Sequence, residues 1–555
     1  MRSSPFWRGR TRRFSHSVVA PLGLALVVGC SGAIGELGSS DKDGTQSPGG
    51  ATGPNGTLAT SALPLRGLTP FELQNTIRDL LGDPATELGA LQPLVIKAGV
   101  ETANSSDMAW SGGRADLLEQ SLFAIASRVV KSGKLAACAA ASADAVCFPA
   151  FVSGTLPLLF RRPVTKEELA VVVAVAESNT AKLGRLEAMA RALELALMAA
   201  DSLYLTTLGP LDKATGELSP YELAGRMSYV IWGSAPDKAL LDAAQSGSLA
   251  TQEGIETQAR RLIADARSER GVARFFLGWT GVLNLRSRTK GAGPWTPELA
   301  SDSVTETSKY IANWWSGQAP TFASLLQSDR SFLNQRLADF YGVTFPAPGP
   351  GGDGFQPVTM PAPSYRSGLL SQASFLATST AGPGSSPTLR GRWVLENLFC
   401  LPQTPPDANT VSKAPAHEAG EQTRDYHEKL AAADGCKGCH VNMEATGVPF
   451  ERFDGIGKLR LQEAGKDVRV NTTLTMGKDA DGSYADERSY FAALGASSVV
   501  RSCVAGSLAR YGLGRVPAEA DAATVKTMGE KLGTNAREAL LTLVVSRSFR
   551  VIAKP

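Results

Sequence analysis

The spacing of apolar residues along this chain predicts a body built almost entirely of α-helices. In the segment LTPFELQNTIRDLLGD (68–83) the large apolar residues recur every three or four positions, so they share one face of a helix. Thr69 is suited to be the N-cap of this helix, with Pro70 at its first position and Glu72 closing a capping box. Gly82 then provides a residue that can adopt the left-handed conformation at the end of the helix.

The same start signal recurs at two further places along the chain. Thr165 precedes Glu168 by three residues, and Ser219 precedes Glu222 by the same spacing, so both pairs predict capping boxes. Strand signals are sparse, and only DVRVNTTLTM (467–476) alternates well enough to predict a short hairpin. We therefore expect an all-α fold of several mainly helical domains with a minor β-hairpin.

The N-terminus predicts export and attachment to a membrane through a lipid. MRSSPFWRGRTRRFSHS carries five arginines and no acidic residue, and the apolar run that follows it up to Cys30 is too short to span a bilayer. These features predict a signal peptide over residues 1–29. The run ends in LVVGC, which resembles the lipobox of bacterial lipoproteins and implies acylation of Cys30. The Gly/Ser/Thr-rich residues 30–62 predict a disordered tether.

The anchor and the charge pattern together limit the expected location and partners. We expect a protein anchored by its lipid to a bacterial membrane, with the outer membrane favoured, and facing the periplasm or the cell surface. The formal net charge is +3, and loss of the five signal-peptide arginines leaves about −2, with no basic run that could follow phosphates. A nucleic-acid partner is therefore not expected.

The seven cysteines can all be assigned in an exported chain, where disulfides persist. Cys30 takes the lipid, and Cys436 and Cys439 belong to one short motif. The remaining four form an even set, in which the two that are nearest in sequence make the natural local pair. The predicted disulfides are Cys138–Cys147 and Cys400–Cys503.

The segment DGCKGCHVNMEATG (434–447) contains C-x-x-C-H, the attachment signature of c-type haem. Cys436 and Cys439, one helical turn apart, can form thioethers with the two vinyl groups, and His440 can ligate the iron from the proximal side. Export favours this interpretation, because bacteria attach haem covalently outside the cytoplasm. We therefore expect one covalent haem c.

Two other interpretations of the motif stay open. A zinc ion could be held by the same cysteines if His417 and His427 supplied the further ligands of a closed shell. Alternatively, the two cysteines could form a local disulfide loop beside a surface histidine. The three histidines after Cys30 all lie between residues 417 and 440, and this clustering favours a site of some kind.

A longer stretch, HEKLAAADGCKGCHVNMEATGVPFERFDGIGKLR (427–460), resembles the haem-binding module of the planctomycete-type cytochrome c domain proteins. Segments 68–83 and 218–249 resemble the helical domains that accompany this module, and the resemblance runs in order from residue 63 onward. It implies a multi-domain exported protein with helical accessory domains and an embedded cytochrome c-like module. In one place the chain departs from the family pattern, since Glu444-Ala445 stands where the family usually has Asp-Pro.

Two Pro/Gly-rich breaks, at 345–364 and 401–417, mark seams in the helical body. Together with the resemblance they predict the order of domains along the chain. That order is a signal peptide (1–29), a lipid-anchored tether (30–62), an N-terminal helical domain (63–160), helical domains over 161–210 and 211–345, a cytochrome c-like haem module (346–462) and a C-terminal helical domain (463–555).

The iron ligand opposite His440 is the open question on which the function depends. Met443 follows three residues later on the same helix, so it lies on the proximal side with that histidine. We favour His427, which stands where the related modules also have a histidine. Met476, in the polar loop after the motif, is a weaker candidate, and a vacant position is the third.

The expected function is electron transfer with an unidentified redox partner protein, or a part in a surface oxidoreductase. An enzymatic role as a haem-dependent oxidoreductase stays open, and catalytic residues stay unassigned because no familiar nucleotide or hydrolase motif occurs. Two alternatives are a cell-surface binding or scaffold lipoprotein of the same helical architecture and a haem peroxidase-like enzyme. A six-coordinate iron favours electron transfer, whereas an open position favours catalysis.

Overall fold

Three helices of this protein begin at the capping boxes that the sequence predicts. Thr69 Oγ1 accepts a hydrogen bond from Glu72 N at 3.1 Å, and Glu72 Oε2 accepts one from Thr69 N at 2.9 Å, so the predicted capping box is formed. Gly82 follows with a φ of 72°, the left-handed conformation that ends this helix. The predicted boxes Thr165–Glu168 and Ser219–Glu222 are formed in the same way.

The computed structural model describes most of the chain after residue 65. It covers residues 66–90, 96–97, 100–101, 112–133, 143–206, 209, 215–287, 290, 294–346, 353–363, 365–380, 384–404, 406, 411–412 and 414–553. All of these residues lie in one unit, Gly56–Pro555. The predicted signal peptide, Cys30 and the tether lie outside the described residues, as does Cys138.

The chain is mainly helical, which confirms the predicted fold class. The helices of its N-terminal third are α1 Pro70–Leu81, α2 Gly112–Lys131, α3 Asp144–Phe160, α4 Lys166–Leu183, α5 Arg185–Met198 and α6 Ala200–Leu203. Those of the middle third are α7 Pro220–Trp232, α8 Lys238–Gln245, α9 Gln252–Ala264, α10 Arg267–Trp279, α11 Pro297–Ser316, α12 Phe322–Leu326 and α13 Gln335–Tyr341. The remaining helices are α14 Ala373–Thr378, α15 Pro387–Asn397, α16 Thr423–Ala432, α17 Lys437–Gly447, α18 Glu487–Ala496, α19 Ser498–Leu513, α20 Ala522–Leu532, α21 Ala536–Val544 and α22 Arg547–Arg550.

The strands are short and pair only in twos, always antiparallel, across the part of the chain that the structure describes. The pairs are β1 Arg66–Gly67 with β4 Tyr204–Leu205, β2 Ile96–Lys97 with β3 Val100–Glu101, β5 Thr215–Glu217 with β12 Val551–Ala553, β6 Arg330–Leu333 with β7 Gln356–Thr359, β8 Gln462–Glu463 with β9 Lys466–Asp467, and β10 Thr472–Leu474 with β11 Gly482–Tyr484. The segment predicted as a hairpin, 467–476, therefore takes part in two hairpins, because each of its ends pairs with a strand outside it.

Two of the predicted helical domains share one hydrophobic core. Buried side chains from α1 to α5, such as Leu73, Phe148 and Leu193, pack together across the predicted boundary at residue 160. A larger core contains Trp279, Phe450 and others from three predicted domains, and a third cluster, with Leu299 and Ile456, also spans the predicted boundary at 345. The predicted boundaries at 345 and 462 therefore do not divide separate cores. Each set of helices buries its apolar face against the next set. A Pro/Gly-rich break in the sequence marks an irregular segment, but it does not show whether the helices on its two sides share a core.

Cys400 and Cys503 form the predicted disulfide, with their Cα atoms 5.5 Å apart across a sequence separation of 103 residues. The bond ties the end of α15 to α19, so it joins the predicted haem module to the C-terminal helices. Cys147 is also disulfide-bonded. Its predicted partner, Cys138, lies outside the described residues, so that pairing stays a prediction.

Within the described ranges, no single helix is long and apolar enough to cross a membrane. The bent pair formed by α18 and α19 meets the criterion only by its length and composition, with an angle of 68° between the two helices. Side chains from both helices, among them Tyr490, Leu494 and Val504, are buried in the main core.

Candidate haem site

Helix α17 carries the C-x-x-C-H motif at its start. Cys436 immediately precedes the first residue of the helix, and its carbonyl accepts hydrogen bonds from Cys439 N at 3.2 Å and His440 N at 3.1 Å. The two thiols are free, with Cys436 buried and Cys439 exposed. The two cysteines and the histidine therefore share one helical turn, as the spacing predicts, and the structure contains no disulfide between them.

Close packing against α15 determines where α17 lies. A Cβ atom added to Gly391 of α15 would come within 1.7 Å of Met443 O, and one added to Gly447 of α17 within 1.9 Å of Pro387 O. The two helix backbones therefore touch at two glycines, and no larger residue fits at either position. This contact brings the side chains of α15 next to the motif.

The Glu444-Ala445 pair explains how α17 continues past the motif. A proline at position 445 would remove a backbone donor, whereas alanine keeps it, and the helix runs on without a break to Gly447. Glu444 consequently lies one turn after His440 on the same face. Its Oε1 atom is 2.7 Å from His440 Nδ1.

Glu444 is buried and receives polar groups from three helices. Thr388 Oγ1, on α15, donates a hydrogen bond to Oε1 at 2.5 Å, and His427 Nδ1, on α16, lies 3.0 Å from Oε2. Burial by itself raises the pKa of the Glu444 carboxyl, but the contacts with His427, His440 and Thr388 outweigh it and hold the pKa below its ordinary value. The carboxylate is therefore charged at neutral pH.

His427, the favoured distal ligand, is placed beside this carboxylate. Its ring is buried, its Nδ1 lies 3.1 Å from Thr388 Oγ1, and it meets Tyr426 edge-on with the ring centroids 5.1 Å apart. The structure thus brings His427 and His440 together through Glu444. Sequence reasoning missed Glu444 and Thr388 as site residues. The sequence feature that could have indicated Glu444 is its spacing of four residues from His440. No sequence feature indicated Thr388.

Of the other predicted site residues, His417 is exposed and packs on Tyr426 with ring centroids 5.0 Å apart. Met443 is buried in the main core, consistent with its exclusion as a distal ligand. Met476 lies in the loop between β10 and β11, where its backbone N–H donates to Asp481 and its side chain packs against the same core.

Comparisons with known proteins bear on the same region. A family model described as PSD4, protein of unknown function (DUF1592), matches residues 218–343. A second model, described as PSCyt3, protein of unknown function (DUF1588), matches residues 366–463. Both describe domains associated with planctomycete cytochrome c proteins. Two segments of the chain are therefore similar to domains of this cytochrome-associated type. No curated protein and no solved structure matches it.

The second matched segment, 366–463, includes the whole cluster around α17, and the donor set of that cluster fits covalent haem c. Cys436 and Cys439 are free thiols one turn apart, and the engagement of His440 Nδ1 leaves Nε2 for an iron atom. Zinc fits less well. Among the described residues, no group of three or more His, Cys, Asp or Glu side chains is arranged to hold a metal ion.

Proposed function

We propose that this protein is an exported lipoprotein that carries one covalent haem c and takes part in electron transfer. The observation that carries the proposal is the pair of free thiols at the start of α17, followed on the same turn by a histidine whose Nδ1 is already engaged. The two segments similar to cytochrome-associated domains support it.

The haem iron, when bound, supplies a one-electron couple. The chain's own residues hold and orient it: Cys436 and Cys439 attach the ring, and His440 presents Nε2 on the same turn. The backbone contact at Gly391 and Gly447 keeps α17 in place, and the Cys400–Cys503 bond ties the end of α15 to α19. A site held this firmly suits electron transfer, because little has to move when the charge changes.

Mass spectrometry of protein made with an intact haem-maturation system tests the cofactor. We expect one haem added to each chain, and no addition in a Cys436→Ala/Cys439→Ala double variant, because both thioether sulfurs are then missing. An unmodified wild-type mass, or zinc released on denaturation, would contradict the proposal.

One observation favours a second candidate, a haem peroxidase-like enzyme. His427 lies against Glu444, and this contact does not place it opposite His440. If neither His427 nor Met476 binds the iron, the sixth position is open to small ligands. An optical spectrum of the reduced protein with and without carbon monoxide separates the candidates. Binding of carbon monoxide by the wild-type protein supports catalysis, and its exclusion supports electron transfer.

Membrane attachment is proposed on the lipobox resemblance at Cys30. Cys30→Ser removes the thiol that would be acylated, so we expect the variant to appear in the soluble periplasmic fraction or to stay uncleaved. If the variant is processed and fractionates like the wild type, the lipoprotein assignment is wrong. Cys439→Ser serves as a control, because it removes an exposed thiol elsewhere in the chain and leaves the lipobox intact.

A further inference from the structure

We propose that Glu444 is a positioning residue for the axial histidine, and that His427 and Thr388 support it. In this assignment His427 does not bind the iron. The inference rests on the proposed haem and deepens it, because it assigns roles to three buried side chains that the attachment motif does not include. The Glu444 carboxylate contacts side chains of three helices, α15, α16 and its own α17.

The first step concerns the tautomer of His440. A carboxylate oxygen can only accept, so Nδ1 carries the proton and donates it to Glu444 Oε1 at 2.7 Å. Nε2 is then the ring nitrogen left to bind a metal. An imidazole held by a carboxylate in this way has a fixed ring orientation and is a stronger ligand base.

The second step excludes His427 as the ligand opposite His440 in this arrangement. Two axial ligands lie on opposite faces of a porphyrin, and when Nε2 binds the iron, each Nδ1 points away from the metal. One carboxylate therefore cannot reach both Nδ1 atoms, because the porphyrin ring lies between the two histidines. Here Glu444 lies 2.7 Å from one Nδ1 and 3.0 Å from the other.

The third step explains what His427 and Thr388 do instead. The hydroxyl of Thr388 donates to Oε1 at 2.5 Å, and His427 Nδ1 lies 3.0 Å from Oε2 on the other side of the carboxylate. The two side chains thus hold Glu444 against His440.

The test uses the mature haem protein and compares Glu444→Gln with wild type. Glutamine keeps the size of the side chain and removes its charge, so His440 becomes a weaker donor and the ferric state loses stabilisation. We expect the midpoint potential to become more positive by about 59 mV, which corresponds to a tenfold change in the reduction equilibrium. If the ferrous iron is five-coordinate, we also expect its iron–histidine stretching band to move to lower frequency.

Glu428→Gln is the matched control, since Glu428 belongs to the same helix as His427, is largely exposed and pairs with Arg424 and Arg469. It should leave both the potential and the band unchanged. Thr388→Val removes one support while leaving Glu444 in place, and it should move both readouts in the same direction by less. If haem does not attach to the Glu444→Gln protein, the Thr388→Val protein tests the role of Glu444 instead.

Two results would overturn the assignment. One is a Glu444→Gln protein, or a Thr388→Val protein where the first is not obtained, whose potential and stretching band match the control. The other is a His427→Gln protein that changes from low-spin to high-spin, because His427 would then be an iron ligand. A wild-type chain with no attached haem refutes the proposed function itself, and the mass spectrum shows this separately.

Discussion

Two buried carboxylates in this protein have opposite pKa shifts. Glu444, beside the haem motif, has a lowered pKa, since contacts with two histidines and a hydroxyl outweigh the effect of burial. Glu306 of α11 is buried too, but its partners are the hydroxyls of Ser331 and Tyr341, each at 2.6 Å. Burial raises the pKa of its carboxyl to about 7, although both hydroxyls and the charge of Arg366 act against it.

The difference shows that burial alone does not determine the charge of a carboxyl group. Donors that can themselves be positively charged compensate for the lost hydration of Glu444, whereas neutral hydroxyls compensate only in part for that of Glu306. The ionised group, Glu444, lies beside the site proposed for the cofactor, where its negative charge would make His440 a stronger ligand base. The group that holds its proton lies in the junction between α11 and the β6–β7 pair, where it packs the interior.

The largest expected effect concerns the disulfide that ties the Glu444 region to the C-terminal helices. A Cys400→Ser/Cys503→Ser double variant should lower the free energy of unfolding by about 4–5 kcal/mol. Without the disulfide, the unfolded chain is no longer closed into a loop across a separation of 103 residues, so it gains conformational entropy. Urea unfolding of the double variant measures this. We also expect stability to depend on pH through Glu306. This dependence should persist in the double variant, because the disulfide joins α15 and α19, whereas Glu306 belongs to α11.

The packing of α15 on α17 is expected to matter almost as much. Gly391→Ala places a Cβ atom 1.7 Å from Met443 O, so the two helices must separate, which should cost about 3 kcal/mol or more. Because Thr388 and Glu444 face each other across this contact, haem attachment should fall as well. Gly506→Ala on α19 is the matched control, with no neighbouring atom within 4 Å of the added Cβ, and it should be neutral or slightly stabilising. Equal stability of the two variants would contradict the packing argument.

Glu306 should make the protein less stable as pH rises. Its pKa is about 7 in the folded state against an ordinary value of 4.5, so the folded state holds a proton that the unfolded state has released between those values. The free energy of unfolding should therefore fall by about 3 kcal/mol from about pH 4.5 to pH 7 and then level off.

Glu306→Gln is the variant that isolates this contribution. It cannot ionise, so the difference in stability between the wild type and Glu306→Gln should change across the same pH range and be constant above it. Urea unfolding at several pH values measures the difference. A difference that does not vary with pH would show that Glu306 is already charged in the folded protein, and the contrast with Glu444 would disappear.

The smallest expected effect compares single donors to the two carboxylates. Thr388→Val removes a hydroxyl that donates to a charged group and should cost about 2 kcal/mol, whereas Ser331→Ala should cost about 1 kcal/mol at pH 5, where Glu306 is neutral. Above pH 7 the cost of Ser331→Ala should rise toward that of Thr388→Val. Equal costs at pH 5 would mean that the two groups do not differ in charge.

Several site residues were predictable because their signal is local. The thiols of Cys436 and Cys439 and the ring of His440 lie within one turn, so their spacing alone predicted that they would lie close together. Local spacing says less about His427. Its position before the motif indicated an iron ligand, and nothing local could show that it lies against Glu444.

The sequence by itself determined where helices begin, because a capping box such as Thr69–Glu72 needs only residues three apart. It also determined the mainly helical class and the disulfide Cys400–Cys503, the latter by elimination among the cysteines. These features depend on neighbouring residues or on chemistry that few residue types share.

The tertiary structure alone decided which polar groups meet in the interior. Thr388, His427 and Glu444 come from three helices, and they converge only because Gly391 and Gly447 let two of those helices touch. A carboxylate's pKa depends on what surrounds it in three dimensions, whereas the sequence shows only what precedes and follows it. The charge on Glu444 and the proton on Glu306 are therefore properties of the packed fold.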